Sequence, residues 1–197
     1  ELELVQKAKQ VLVGYPGLVV LGPTEIERLP IISFLVQHEH TGLFLHHNFI
    51  CAILNDVFGI QARAGCVCAG PYAQELLGID WETSKRFEEA LLKLSSNDND
   101  LSELLPRERD RQGAGTELIR PGFVRLNFHY SMDDVSFRFV LSALQMIATH
   151  GWKLLPQYKF NPDTGEWIHR SWSLQNDRKW IGSIRYFNDE GIAGFNV

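Results

Sequence analysis

The sequence is short of the features that commit a chain to a special environment. Its three cysteines, at 51, 66 and 68, are odd in number and unevenly spaced, which excludes a disulfide framework of the kind small secreted domains use. Reduced thiols and a cytoplasmic setting are the expectation. No apolar run reaches the roughly 18 residues that would span a bilayer, and no signal peptide opens the chain, so no membrane association is expected. No block of Lys or Arg stands out. With 19 basic against 24 acidic residues, a net charge of −5 and a pI near 5.8, no nucleic-acid partner is expected. No internal repeat is present.

What is there suffices for a core. The 197 residues are 45% hydrophobic, enough for one domain, or one domain with a small appendage. Residues 2–13 carry Leu2, Val5, Ala8 and Leu12 at helical spacing and stop near Gly14. Residues 18–21 and 30–37 read as strands, the second being the stronger by apolar density and β-branching. Residues 38–42 form a polar turn, and 43–45 fit either a strand or the lead-in to a helix. Residues 46–58 predict a helix with Phe49, Ile50, Ile53, Leu54 and Val57 on one face; Cys51, in its middle, is a core residue. Residues 59–63 predict a short strand. One or two helical turns over 72–77 follow, then a helix over 81–94 capped by Asp80 and bearing Phe87, Leu91 and Leu94. Residues 95–100 are a linker by composition, and 101–117 a charged loop. A strand over 123–128 leads to a long amphipathic helix over 132–150. Its inward residues are Val135, Phe139, Leu144 and Ile147, and its first turn carries Asp133 and Asp134, which complement the helix dipole. Four of the five tryptophans lie beyond residue 151. There Asn161-Pro162-Asp163-Thr164-Gly165 predicts a hairpin turn, and residues 180–187 a further strand pairing.

Chemistry concentrates in the run Arg63-Ala64-Gly65-Cys66-Val67-Cys68-Ala69-Gly70-Pro71. Gly65, Gly70 and Pro71 mark a turn or loop. A thiol on a loop past a strand end is exposed enough to react, and a guanidinium nearby lowers its pKa or holds an anionic substrate. The same thiols also read as small hydrophobes packed under a turn. A second block, Gly122-Phe123-Val124-Arg125-Leu126-Asn127-Phe128, places an arginine inside a strand, where it is either a bidentate carboxylate ligand or a surface ion-pair partner.

Together the two blocks resemble the C-terminal (small) domain of class V aminotransferases, the pyridoxal-phosphate family that includes cysteine desulfurases. The likeness covers residues 29–147. Gly59-Ile60-Gln61-Ala62-Arg63-Ala64-Gly65-Cys66-Val67-Cys68-Ala69-Gly70-Pro71 matches each fixed position of the run Gly-Ile-x-x-Arg-x-Gly-x-x-Cys-Ala-x-Pro. The Arg-x-Gly-Cys-x-Cys form also looks like the molybdenum-cofactor sulfurase branch. The resemblance implies that Cys68 is the catalytic, persulfide-forming cysteine, that Arg125 grips the substrate α-carboxylate, and that Arg63 stands near substrate and cofactor. Asn127 supports Arg125 or only satisfies backbone groups. There are departures from the family. Cys66 and Val67 stand where the nearest branch has histidines, residues 81–121 are a longer and more charged insert, and the tail beyond 152 has no counterpart. The family's coenzyme-binding lysine belongs to a large upstream domain that this sequence lacks, and a chain opening at Glu1 reads as an excised piece.

The implied fold is α+β: a mainly antiparallel sheet of three to five strands with helices on one face, the small domain of a fold-type I enzyme. It would occupy residues 1–151, with a Trp-rich, hairpin-containing extension over 152–197. The implied function is sulfur transfer from cysteine to Cys68 on pyridoxal 5′-phosphate, with an amino-acid substrate, the parent's large domain and a second protomer as partners. The isolated chain is then inactive. Two other readings stand beside it: an enzyme of the same fold without sulfur chemistry, and a non-catalytic interaction module using the aromatic tail. His38, His40, His46 and His47 with Cys66 and Cys68 suggest zinc by residue type. Cys-x-Cys lacks the usual gap, however, and the histidines are adjacent or one apart, so no metal is expected.

Overall fold

The computed structural model describes residues 2–23, 25–65, 70–96, 119–162, 164–171, 185–188 and 191–194. Four antiparallel strands form the central sheet, in the order β1-β2-β4-β3. They are β1 (Leu18–Val20), β2 (Ile31–Val36), β3 (Arg63–Gly65) and β4 (Phe123–Asn127). Helices α1 (Leu2–Leu12), α2 (His47–Phe58), α3 (Gly70–Leu76), α4 (Trp81–Ser96) and α5 (Asp134–His150) complete an α+β fold. A 3₁₀ turn (Gly151–Gln157) leads to the hairpin of β5 (Tyr158–Phe160) and β6 (Trp167–His169). A second hairpin joins β7 (Arg185–Asn188) to β8 (Gly191–Gly194).

Alternation along β2 and β4 sorts side chains onto two faces. Ile32, Phe34, Val36, Val124 and Leu126 are buried and join the main core with residues of α1, α2 and α5. The opposite face is partly covered too, which differs from the expected one-sided arrangement. Ala73 of α3 is buried with Leu21 and Phe123, and Leu35, Leu76 and Leu77 pack against them. The reason is the apolar Leu35 and Phe123 on that second face, whose burial stabilises by roughly 1.5–3 kcal/mol per large side chain.

Local chemistry sets the helix ends. Asp133 Oδ1 accepts from the Ser136 amide at 2.8 Å, so α5 starts at Asp134 instead of 132. Asp80 Oδ1 caps α4 through the Thr83 amide at 2.7 Å, as its sequence predicts. Gly59, at φ +66°, closes α2, and the Ile60 amide reaches back to the Leu54 carbonyl. The run predicted as a strand over 59–63 instead becomes this cap, and pairing begins only at Arg63. Gly70 and Pro71 open α3, because proline's missing N–H costs nothing in a first helical turn.

Three apolar side chains predicted to face inward do not. Val135 is 69% exposed, Phe139 51% and Val57 55%. On α5 the buried stripe is Phe137, Val140, Leu141, Ala143, Leu144, Ile147 and Ala148. That spacing covers one face continuously, whereas Val135 and Phe139 lie off it. Leu94 lies in α4, but its side chain is outside the described residues, as are residues 97–118 and the strand-like run 180–184.

Candidate functional site

The two motif arginines are brought together by strand register. Arg125 on β4 pairs with Ser33 of β2 on one side and with Arg63 of β3 on the other. Residues directly opposite across an antiparallel pair share a face, with Cβ atoms about 4.5–5.5 Å apart. Ser33, Arg125 and Arg63 therefore form one row across three strands, on the face away from the main core. Ser33 and Arg125 are half-buried and Arg63 is exposed. Neither arginine has an ion-pair partner among the described residues. Asn127 lies on the same face, two residues along β4, and is exposed.

Two adjacent guanidiniums without a counter-charge repel each other and attract an anion. Each can offer a planar fork to a carboxylate, and Ser33 adds a hydroxyl. Cys66 and Cys68 lie outside the described residues, between the last residue of β3 and the first of α3. Gly65, the last described residue before them, pairs with Phe123, two residues from Arg125.

A third arginine went unnoticed in the sequence. Arg28 Nη1 donates to the Leu21 carbonyl at 3.2 Å, while its Nε and Nη2 are buried with no hydrogen-bond partner among the described residues. Its position in a connecting loop carried no signal. Ser33 was legible only as the one polar residue within the apolar run of β2.

Beneath β3, on the other face, α2 carries the histidine pair. His46 caps α2, its Nδ1 accepting from the Asn48 amide at 3.2 Å and from Trp167 Nε1 at 3.3 Å. Two donors on Nδ1 place the His46 proton on Nε2 when the ring is neutral. His47 is buried against Gly122, and its ring stacks on His46 with centroids 4.3 Å apart. Burial, with the His46 imidazole beside it, pulls the His47 pKa down to about 4. Cys51 is half-buried, and burial pushes its thiol up to about 12, which leaves it protonated and unreactive. Tyr158 donates to Asp56 Oδ2 at 3.0 Å; burial and then that carboxylate raise the phenol's pKa. His38 and His40 sit apart from these, at centroids 5.6 Å from each other, with Trp152 packed edge-on to His38. Among the described residues no three His, Cys, Asp or Glu side chains are placed to hold a metal ion.

Comparison of the chain with protein-family models, with curated proteins and with solved structures finds no match.

Proposed function

We propose that this chain is the small C-terminal domain of a pyridoxal-phosphate-dependent class V aminotransferase-like enzyme of the cysteine desulfurase type. One observation carries the reading: Arg63 and Arg125, singled out separately by two motifs, stand opposite each other on one face without a counter-charge among the described residues. The antiparallel sheet and the helix following β4 are consistent with it. Arg125 would hold the amino-acid carboxylate, with Arg63 and Ser33 beside it, and Cys68 would accept the substrate's sulfur.

The residues present fit carboxylate recognition but not coenzyme attachment. No lysine belongs to the Ser33–Arg125–Arg63 row or to α3. On the family resemblance, the covalent partner of the coenzyme would belong to another segment of the parent polypeptide, the large domain.

The test uses the protein that joins this chain to such a segment. Arg125→Lys replaces a bidentate, charge-assisted contact with a point charge. It should raise the KM for L-cysteine by about ten- to a hundredfold, matching the roughly 1.5–3 kcal/mol of such a bond. Cys68→Ala should abolish alanine and sulfide release. With L-cysteine and pyridoxal phosphate, the present chain alone should release sulfide no faster than free coenzyme. Turnover by the lone chain, or undiminished turnover by Cys68→Ala, defeats the proposal.

A further inference from the structure

β3 is two-sided. Arg63 lies on the anion-attracting face, whereas its neighbours Ala62 and Ala64 line a groove on the opposite side with a volume of about 730 Å³. The groove runs between the outer edge of β3, helix α2 and the β5–β6 hairpin. β3 ends the sheet, so its backbone groups on the side away from β4 have no strand beside them among the described residues. Such an edge is a template for a further strand.

The lining suits a peptide. Ala62 and Ala64 leave room for a neighbouring backbone and its side chains. Asn48, Asn55 and Gln61 supply carboxamides, which hydrogen-bond as a peptide group does. Asn48 and Asn55 use their Nδ2 groups on the Gly165 carbonyl and Asp56, which leaves their carbonyl oxygens as acceptors for peptide N–H groups. The charge is one-sided: among the described residues Asp56 and Glu166 line the groove, no Lys or Arg does, and neither carboxylate is in an ion pair.

We propose that this groove receives an extended segment of a partner protein, added as a strand along β3, with a basic side chain directed to Asp56 and Glu166. The half-buried Trp167 stands at the same wall. β3 is only three residues long and offers few ladder bonds, so the association belongs to the weak, transient class.

The probe is a phage-displayed library of linear heptapeptides, selected on the purified chain. Enriched peptides should carry Lys or Arg between small or β-branched residues. Glu166→Lys, an exposed change outside the core, should weaken the best peptide at least about tenfold, equivalent to 1.4 kcal/mol. Lys7→Gln, an exposed change on α1 away from the groove lining, should leave it unchanged. Amide exchange at residues 62–65 should slow when the peptide is bound. Three results overturn the inference: no enrichment of basic peptides, binding indifferent to Glu166→Lys, or displacement by spermidine at the peptide's own concentration, which would show that the backbone contributes nothing. A concentration-dependent dimer abolished by Ala64→Pro would equally overturn it, by giving the edge to a second copy. None of these results bears on the Arg125 reading, which rests on the other face.

Discussion

The His47 imidazole fills the space that a side chain at Gly122 would need. A Cβ on Gly122 would stand 2.7 Å from His47 Cε1 and 2.9 Å from both ring nitrogens. His47 is buried and cannot swing away into solvent. Gly122→Ala should therefore destabilise by about 1–3 kcal/mol, the usual cost of overpacking. Urea unfolding measures this, and His47→Ala in the same chain should recover part of the loss. Equal stability of Gly122→Ala and the parent would contradict the packing.

The same histidine makes stability depend on pH. Its folded-state pKa is depressed, from the ordinary 6.5 to about 4. The unfolded chain thus takes up a proton that the folded chain refuses. Stability from this group is complete above pH 6.5, declines as pH falls toward 4, and levels off below. The full span is on the order of 3 kcal/mol. His47→Gln should flatten this part of the unfolding curve measured between pH 7 and 4, and an unchanged slope would refute the assignment.

Arg63 and Arg125 face each other as like charges. Arg63→Glu turns the repulsion into a cross-strand ion pair and should stabilise by about 0.2–1 kcal/mol. Inorganic phosphate should raise the melting temperature of the parent chain more than that of Arg63→Glu. A lower melting temperature for the variant in phosphate-free buffer would show that the arginines are already neutralised.

Arg28 keeps two buried nitrogens, Nε and Nη2, without acceptors among the described residues. Arg28→Met loses the bond to the Leu21 carbonyl, about 1 kcal/mol, but removes orphaned donors that cost about 1–3 kcal/mol. Its thermal unfolding should occur at the parent's temperature or above. Destabilisation beyond about 2 kcal/mol would mean that the guanidinium has a compensating partner.

Thiol reactivity should separate the cysteines. Cys51 is protonated at neutral pH because burial raises its pKa to about 12. Mass-mapped alkylation with iodoacetamide at pH 7.5 should label it last. Early labelling of Cys51 would contradict its burial.

Much of the fold was legible where one local signal dominated. Asp80 before Trp81 and Gly59 after Phe58 each marked a helix end by hydrogen bonding that involves only neighbouring residues. The β5–β6 pairing follows a turn whose residues favour reversal on their own. Residues 59–63 misled because Ile60 looks like a strand residue, yet its amide completes the end of α2. Val135 and Phe139 misled because α5 has apolar residues on two faces, and periodicity alone does not say which face meets a sheet.

By itself the sequence determined helix caps, turns and the alternation that gives β2 and β4 two faces, because those depend on residues a few positions apart. The motif arginines were also visible there, but as separate residues. Only the tertiary structure decided that residues 63 and 125 share a row, that α3 covers part of the second face, and that β3 ends the sheet beside a groove. Register and strand order join segments some sixty residues apart. They are set by which faces bury together, and no local pattern encodes that choice.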